Sequence, residues 1–532
     1  MGSHGRFLLA ASLALLVLAT IPAFAAVPFA INETILAPDG TSLTRSVTMA
    51  TTTPATAPDI ASPGPAGSRD ANTYLWLDRN HLNAVAENVN ICGTGMIGVV
   101  GWWLNNMRFA VYRVPGGSGT PQWTRPMPAA QFQIPVDADD LADRLVTTAR
   151  GESLYVFDAA DPDPLFSNWF NAPLVGYKVG VSDFGNTIVG CGGNPAGGEG
   201  EVRVFDGATY ALRFKKPLPA PPEGACVSGD GLVVAANVRG FVKIWDAMTG
   251  AQRDSVAIAG ETQTPAVLSA DGSYLVTGGF NKTVKLYHWD GAHYTLVWSH
   301  NIPGTTWVTA LAISRNGSTI AAGTWTNGSQ MGGKLVAYDR SSSTPLWTDS
   351  GFGDEVASVA LTEDGAMIAA GCWGRSGGTY GNVISVYLRG SSVPVSTIGD
   401  DAVAGVGSCM SVDLSRDGHF LLAGGKAVHA REYGSGGWVM AIQVANPADV
   451  AGNLGTPASR RIEAGPNPFR GSLRITAPGN VRIVSADGRV IRRGLGSMWD
   501  GRDDAGRVVP AGTYFIRGEA PGAGALRIVR IR

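Results

Sequence analysis

The sequence predicts an all-β chain, an eight-bladed β-propeller with seven blades as the alternative, followed by a small β-sandwich. Three observations carry that expectation. Asp-Gly-type turns recur at Asp183-Phe184-Gly185, Asp230-Gly231, Asp271-Gly272, Asn316-Gly317, Asp364-Gly365 and Asp417-Gly418, with their glycines 46, 41, 45, 48 and 53 residues apart. After each turn comes an apolar run ending in small residues, then a glycine-rich loop, then an alternating strand that closes on an aromatic and often an Asp. Composition agrees: 71 glycines, 45% hydrophobic and only 16% charged residues suit strands and turns around a large core, and exclude a coiled coil or a disordered acidic tail.

Charge and cysteine usage narrow the function. The 41 basic and 43 acidic residues leave a net charge of −2, which provides no global field for nucleic acid. None of the five cysteines lies in a Cys-x-x-Cys pair, which argues against a zinc site or a disulfide framework.

At the N-terminus, Arg6 precedes an apolar run over residues 7–19, and Ala23-Phe24-Ala25 supplies the small-x-small pattern of a signal-peptidase site. The run falls short of the roughly 20 residues that span a bilayer, so residues 1–25 read as a cleaved signal peptide. The expected location is secreted or outer cell surface, with the periplasm as the alternative and no transmembrane segment in the mature chain. Residues 26–72 form an N-terminal segment whose Pro/Thr/Ala-rich part, 47–72, has little to bury and reads as a linker. The propeller is expected over 73–447, a second linker over 448–462 and a C-terminal domain over 463–532.

Within the propeller, stepping back from Gly185 by the same period reaches Asp139-Asp140 and then Gly93-Thr94-Gly95, which makes eight units. The Asp-Gly pairs suit two-residue hairpins that need positive φ. Second strands such as 232–235, 319–322 and 420–423 are apolar on both faces, as buried strands must be, while third strands such as 242–246 alternate. A unit of about 45 residues cannot bury both faces alone, and radial stacking of such units solves this. The last unit has a third strand at 437–444 and no evident fourth. Residues 73–77, which have strand character, are expected to supply it and close the ring.

The repeat resembles two propeller families. Ile244-Trp245-Asp246 and the Asp-Gly turns are similar to WD repeats, although the histidine that WD repeats place before the first strand is absent. The run Trp245-Asp246-Ala247-Met248-Thr249-Gly250 resembles quinoprotein-like propellers, as do Phe166, Phe214, Trp298 and Trp347, each eight residues after a strand-ending Asp. The latter resemblance implies that these aromatics dock neighbouring blades. It would also imply a quinone cofactor, calcium and an adjacent cysteine pair, but the chain has no such pair. The expectation is therefore a non-enzyme without cofactor, the alternative being a quinoprotein-like or glycan-processing extracytoplasmic enzyme.

Near the C-terminus, Gly465-Pro466-Asn467-Pro468-Phe469, then Trp499-Asp500-Gly501-Arg502-Asp503, then Pro510-Ala511-Gly512-Thr513-Tyr514 form an ordered set. It resembles the immunoglobulin-like domain of flagellar hook-capping proteins and is similar to type IX secretion C-terminal sorting domains of Gram-negative bacteria. That resemblance implies a sorting or attachment role. Leu473, Ile475, Val481 and Ile483 are expected to line the sandwich around Trp499. Residues 460–532 carry a balance of +8, with 14 arginines and no lysine, leaving −10 on the rest. An anionic cell-surface polysaccharide or the acidic propeller itself is the matching partner, and a solvated arginine-rich face is the bland alternative.

Candidate chemistry is sparse. His288 and His293 flank Asp290-Gly291, where a two-residue hairpin would set them opposite, yet a third metal ligand is missing. Asp158, Asp161 and Asp163, interrupted by Pro162 and Pro164, read as an ordinary turn. No catalytic or metal residue is assigned. By contrast, the second-to-third-strand loops at 194–201, 326–333, 374–382 and 426–437 are long, and an aromatic recurs at their start in Trp103, Phe280, Trp325 and Trp373. With Arg375, Tyr380 and Arg431, these are expected to form an exposed ligand face for a protein or glycan partner.

Overall fold

In a computed structural model of the chain, the described residues are 29–36, 42–49, 73–81 and, with short internal breaks, 84–444 and 463–531. The expected signal peptide lies outside them. Eight four-stranded antiparallel sheets make up an eight-bladed β-propeller. The first strand of each blade lies against that of the next, from Ala84–Ile91 through Val136–Ala138, Val175–Val181, Gly224–Val227, Val267–Leu268, Trp307–Ile313 and Val356–Leu361 to Ser408–Leu414, which returns to Ala84–Ile91. An N-terminal hairpin of Phe29–Leu36 and Ser42–Met49, unmarked in the sequence pattern, precedes the ring.

Closure follows the expected route. Thr73–His81 pairs antiparallel with Gly437–Gln443 as the outer strand of the last blade. Trp76 ties this strand to the first blade: its indole N–H donates to the carbonyls of Arg113 (3.0 Å) and Val114 (2.9 Å), and its ring stacks on Tyr112 at 5.2 Å. N- and C-terminal ends of the ring are thereby joined by a buried aromatic as well as by a ladder.

The turns between first and second strands differ from the expected two-residue hairpins. Ser228 and Val233 face each other across four residues, with Ser228 N–H donating to Val233 O at 2.9 Å. Ser228 Oγ donates to Asp230 Oδ1 (2.6 Å) and accepts from Val233 N–H (2.9 Å), while Asp230 Oδ1 also accepts from Leu232 N–H. Only the glycine, Gly231 at φ 76°, needs the left-handed region. The same knot recurs at Ser269/Asp271, Ser314/Asn316, Thr362/Asp364 and Ser415/Asp417. In the first blade Cys92 takes the serine's place, its sulfur accepting from Ile97 N–H at 3.3 Å. The repeat therefore begins at a hydroxyl or thiol two residues before the Asp.

The aromatics expected to dock blades do so. Trp298 donates to Arg340 O (2.9 Å) and Trp347 to Arg389 O (2.8 Å), each carbonyl lying just beyond the third strand of the following blade. Phe166 packs on Phe205 and Tyr210 of the next blade, and Phe214 lies against Gly250. The C-terminal residues form a small β domain of two sheets, one of three and one of four strands. Between them Trp499 is buried with Phe469, Leu473, Ile475, Val481, Ile483, Tyr514, Ile516 and Ile528.

Trp76→Ala should lower the unfolding free energy by about 3–5 kcal/mol, the usual cost of deleting a large buried aromatic, with two backbone carbonyls also losing their donor. Urea denaturation followed by far-UV dichroism checks this, and a change under 1 kcal/mol would show that the N-terminal strand does not hold the ring.

Candidate functional site

The channel has two unlike mouths. At one end the long loops gather, and four aromatics that end or follow the second strands converge there. They are not exposed as expected. Trp325 (1% exposed), Trp373 (0%), Trp103 (6%) and Phe280 (6%) are buried. The reason is mutual coverage: Phe280 stacks on Trp307 at 4.6 Å, Trp307 meets Trp325 edge-on at 6.3 Å, and Trp103 shares a cluster with Trp373, Met410 and Ala430.

Arg431, from the loop of the last blade, reaches across to its neighbours. Its guanidinium lies 5.6 Å from the Trp325 ring and 5.9 Å from that of Trp373. It pairs with Asp354, with Nε 2.6 Å from Oδ2 and Nη2 donating to Oδ1 at 2.9 Å. His429 Nε2 stands 3.5 Å from the same Oδ2, and His429 Nδ1 accepts from Arg431 N–H at 3.1 Å. A buried carboxylate is thus matched by a guanidinium that gives it one hydrogen bond and lies beside two indoles, a packed floor rather than an exposed aromatic surface. Arg375 is exposed on the same face. Tyr380 lies outside the described residues.

Sequence reasoning missed Trp169. It ends the fourth strand of the second blade, Phe166–Trp169, on the long-loop face, and its side chain is 54% exposed. With Phe170, Ala172, Pro173, Leu174 and Val175 it lines a shallow groove of about 120 Å³. Arg203 positions it, donating to Trp169 O at 2.6 Å and to Asn168 Oδ1 at 2.5 Å. The signal was an aromatic at an outward position of an alternating strand, which repeat alignment does not weigh.

At the other mouth charges occupy the same position before the turn in five of the eight blades: Asp140, Asp183, Arg315, Glu363 and Arg416. Arg315 pairs with Asp183, and Arg416 pairs with Asp140 and, at 3.0 Å, with Asp183. Burial pulls the Arg315 guanidinium down to about 9 and pushes the Asp140 carboxyl up, with Arg416 opposing. Three residues up the wall, Asp413 accepts from Ile91 and Leu414 N–H (both 2.9 Å) and Asp137 from Val181 (2.9 Å) and Ala138 (3.0 Å). Burial raises Asp413 to about 7, the Asp137 charge adding to it, and raises Asp137 to about 6.

The remaining candidates separate. His288 pairs with Thr295, not His293, because Trp289 and Tyr294 close the turn and Asp290 N–H donates to His293 O across it. His288 instead lies on Tyr274 at 4.7 Å, and His293 lies 3.8 Å from Asp254. Asp158 and Asp161 accept backbone N–H groups of their own turn. All five cysteines are free thiols, and burial pushes Cys226 up to about 12 and Cys372 up to about 11, which disfavours the thiolate.

Compared with known families, residues 260–288, which span the first three strands of the fifth blade, match the WD domain, G-beta repeat. No curated protein matches the chain at a significant level.

Raised carboxylates make the native state bind more protons than the unfolded chain between about pH 4 and 7, so their stabilising contribution is present in acid and lost as pH rises through 6–7. Calorimetry of wild type against Asp413→Asn should show a melting-temperature gap that moves in favour of the variant by a few degrees between pH 5 and pH 8. A constant gap would contradict the assignment.

Proposed function

We propose that the protein is an exported, non-catalytic binding scaffold whose long-loop face takes a protein partner, while the immunoglobulin-like C-terminal module serves sorting or attachment. The β-propeller with its WD-repeat match supports a protein-binding scaffold. The observation that carries the choice of face is Trp169: a large indole open to solvent, its backbone carbonyl held by Arg203, on the side where the loops are longest. Length beyond a minimal turn costs ordering entropy and serves no closure there, since the opposite mouth closes with four-residue knots. The pairing of Arg431 with Asp354 and the buried tryptophans give this face a packed floor.

A glycan partner is the second reading, because an exposed indole beside a shallow groove also suits the apolar face of a sugar ring. The two are distinguished by what competes: free oligosaccharide displaces a glycan and leaves a protein in place. Export and display through the terminal segments follow from the leader-like residues 6–25 and from the motif set at 465–515.

Trp169→Ala combined with Arg375→Ala should weaken the partner complex at least about tenfold, since a single aromatic anchor is commonly worth about 2 kcal/mol. Affinity measured by interferometry, with the melting temperature unchanged, checks this. Unaltered affinity would move the binding surface elsewhere.

A further inference from the structure

The charge ring at the turn mouth is unbalanced by one. Of the five ring residues three are acids, Asp140, Asp183 and Glu363, and two are cations; Arg315 and Arg416 pair with Asp183 and Asp140, and among the described residues no propeller cation lies within ion-pair distance of Glu363. The missing cation comes from the C-terminal module: Arg517 Nη2 donates to Glu363 Oε1 at 3.1 Å, and its charge also reaches Asp140. Arg517 lies on the strand Gly512–Gly518, where residues two apart share a face. Tyr514 and Ile516 point into the module's own core. Phe515 and Arg517 point the other way, Phe515 packing on Phe184 at 5.1 Å and the Arg517 guanidinium lying 5.8 Å from the same ring.

The propeller side is built for this contact. Phe184 stands where five other blades carry the turn-forming residues Asp230, Asp271, Asn316, Asp364 and Asp417. Without that carboxylate, Ser182 Oγ bonds Asn186 instead, so blade three maintains its turn by a different route and presents an aromatic at the mouth. Space for the ring's ion pairs is left by Gly229, where a Cβ would collide with Arg315 and Asp183. A local rule of the repeat is broken where the C-terminal module sits, and the module's +8 meets the −10 of the remaining chain.

We propose that Phe184 and Glu363, with Asp140 behind them, form an arginine seat whose occupant is the chain's own segment 512–518, so that the C-terminal module is a docked cap over the turn mouth and not a free tether. The seat excludes other partners from that face while the cap is on. Its hold is electrostatic at the rim and therefore weakens with salt.

Small-angle scattering of the full chain tests this. Arg517→Glu and, independently on the propeller side, Glu363→Arg should each lengthen the largest dimension at 150 mM salt, and the double charge swap should restore the compact curve. Wild type should open in high salt, while far-UV dichroism stays constant throughout. Single variants with unchanged scattering, or singles that open without rescue in the double, would overturn the proposal. So would a wild-type mass that doubles with concentration, which would place the seat's arginine on a second copy.

Discussion

A closed circle of backbone hydrogen bonds holds the eight blades at one level, and the rest of the structure depends on it. The N–H of Asp140 donates to Asp183 O, Asp183 to Gly229 O, Asp230 to Ala270 O, Ala270 to Arg315 O, Arg315 to Glu363 O, Glu363 to Arg416 O, Arg416 to Gly93 O, and Thr94 back to Asp140 O, at 2.8 to 3.2 Å. Each bond is worth only about 1 kcal/mol net, but a buried unmade one costs about 1–3. A blade apolar on both faces has no stable edge, so a missing member exposes two neighbours at once. The Ser-x-Asp-Gly knot exists to place those N–H groups: it turns the chain sharply at the same height in blade after blade.

That constraint explains what the sequence shows and what it hides. Turn spacing and doubly apolar second strands are imposed on every blade, so eight units and a closing strand at 73–77, which the structure extends to His81, were legible. Docking by Trp298 and Trp347 was legible for the same reason, as an aromatic at a fixed offset. Burial of Trp325 and Trp373 was not, because it comes from side chains elsewhere in the chain, Trp307 and Met410 with Arg431 beside them, contacts between residues with no sequence relation. The His288/His293 register failed on turn length, which alternation alone does not reveal. Trp169 escaped notice because it belongs to no repeat.

The two mouths divide the labour of the molecule. At the turn mouth short knots, ion pairs and Arg517 leave little surface unpaired. The other mouth has the longer connections and the buried indoles, and keeps Trp169 and Arg375 in solvent. Half-buried Asp137 and Asp413 on the channel wall between them carry a charging cost that backbone N–H donors only partly offset. Such a division suits the scaffold proposed above, with partner binding proposed at one face and docking of the C-terminal module at the other.

Amide hydrogen exchange on the intact chain tests the central claim, ring closure, most directly. Peptides covering 74–81 and 437–443, sequence-distant but paired, should fall in the same slow-exchange class as the N–H groups of Asp183, Arg315 and Arg416, since all open only when the ring opens. Exchange of 74–81 on the timescale of an unprotected loop, while 437–443 stays protected, would contradict closure by the N-terminal strand.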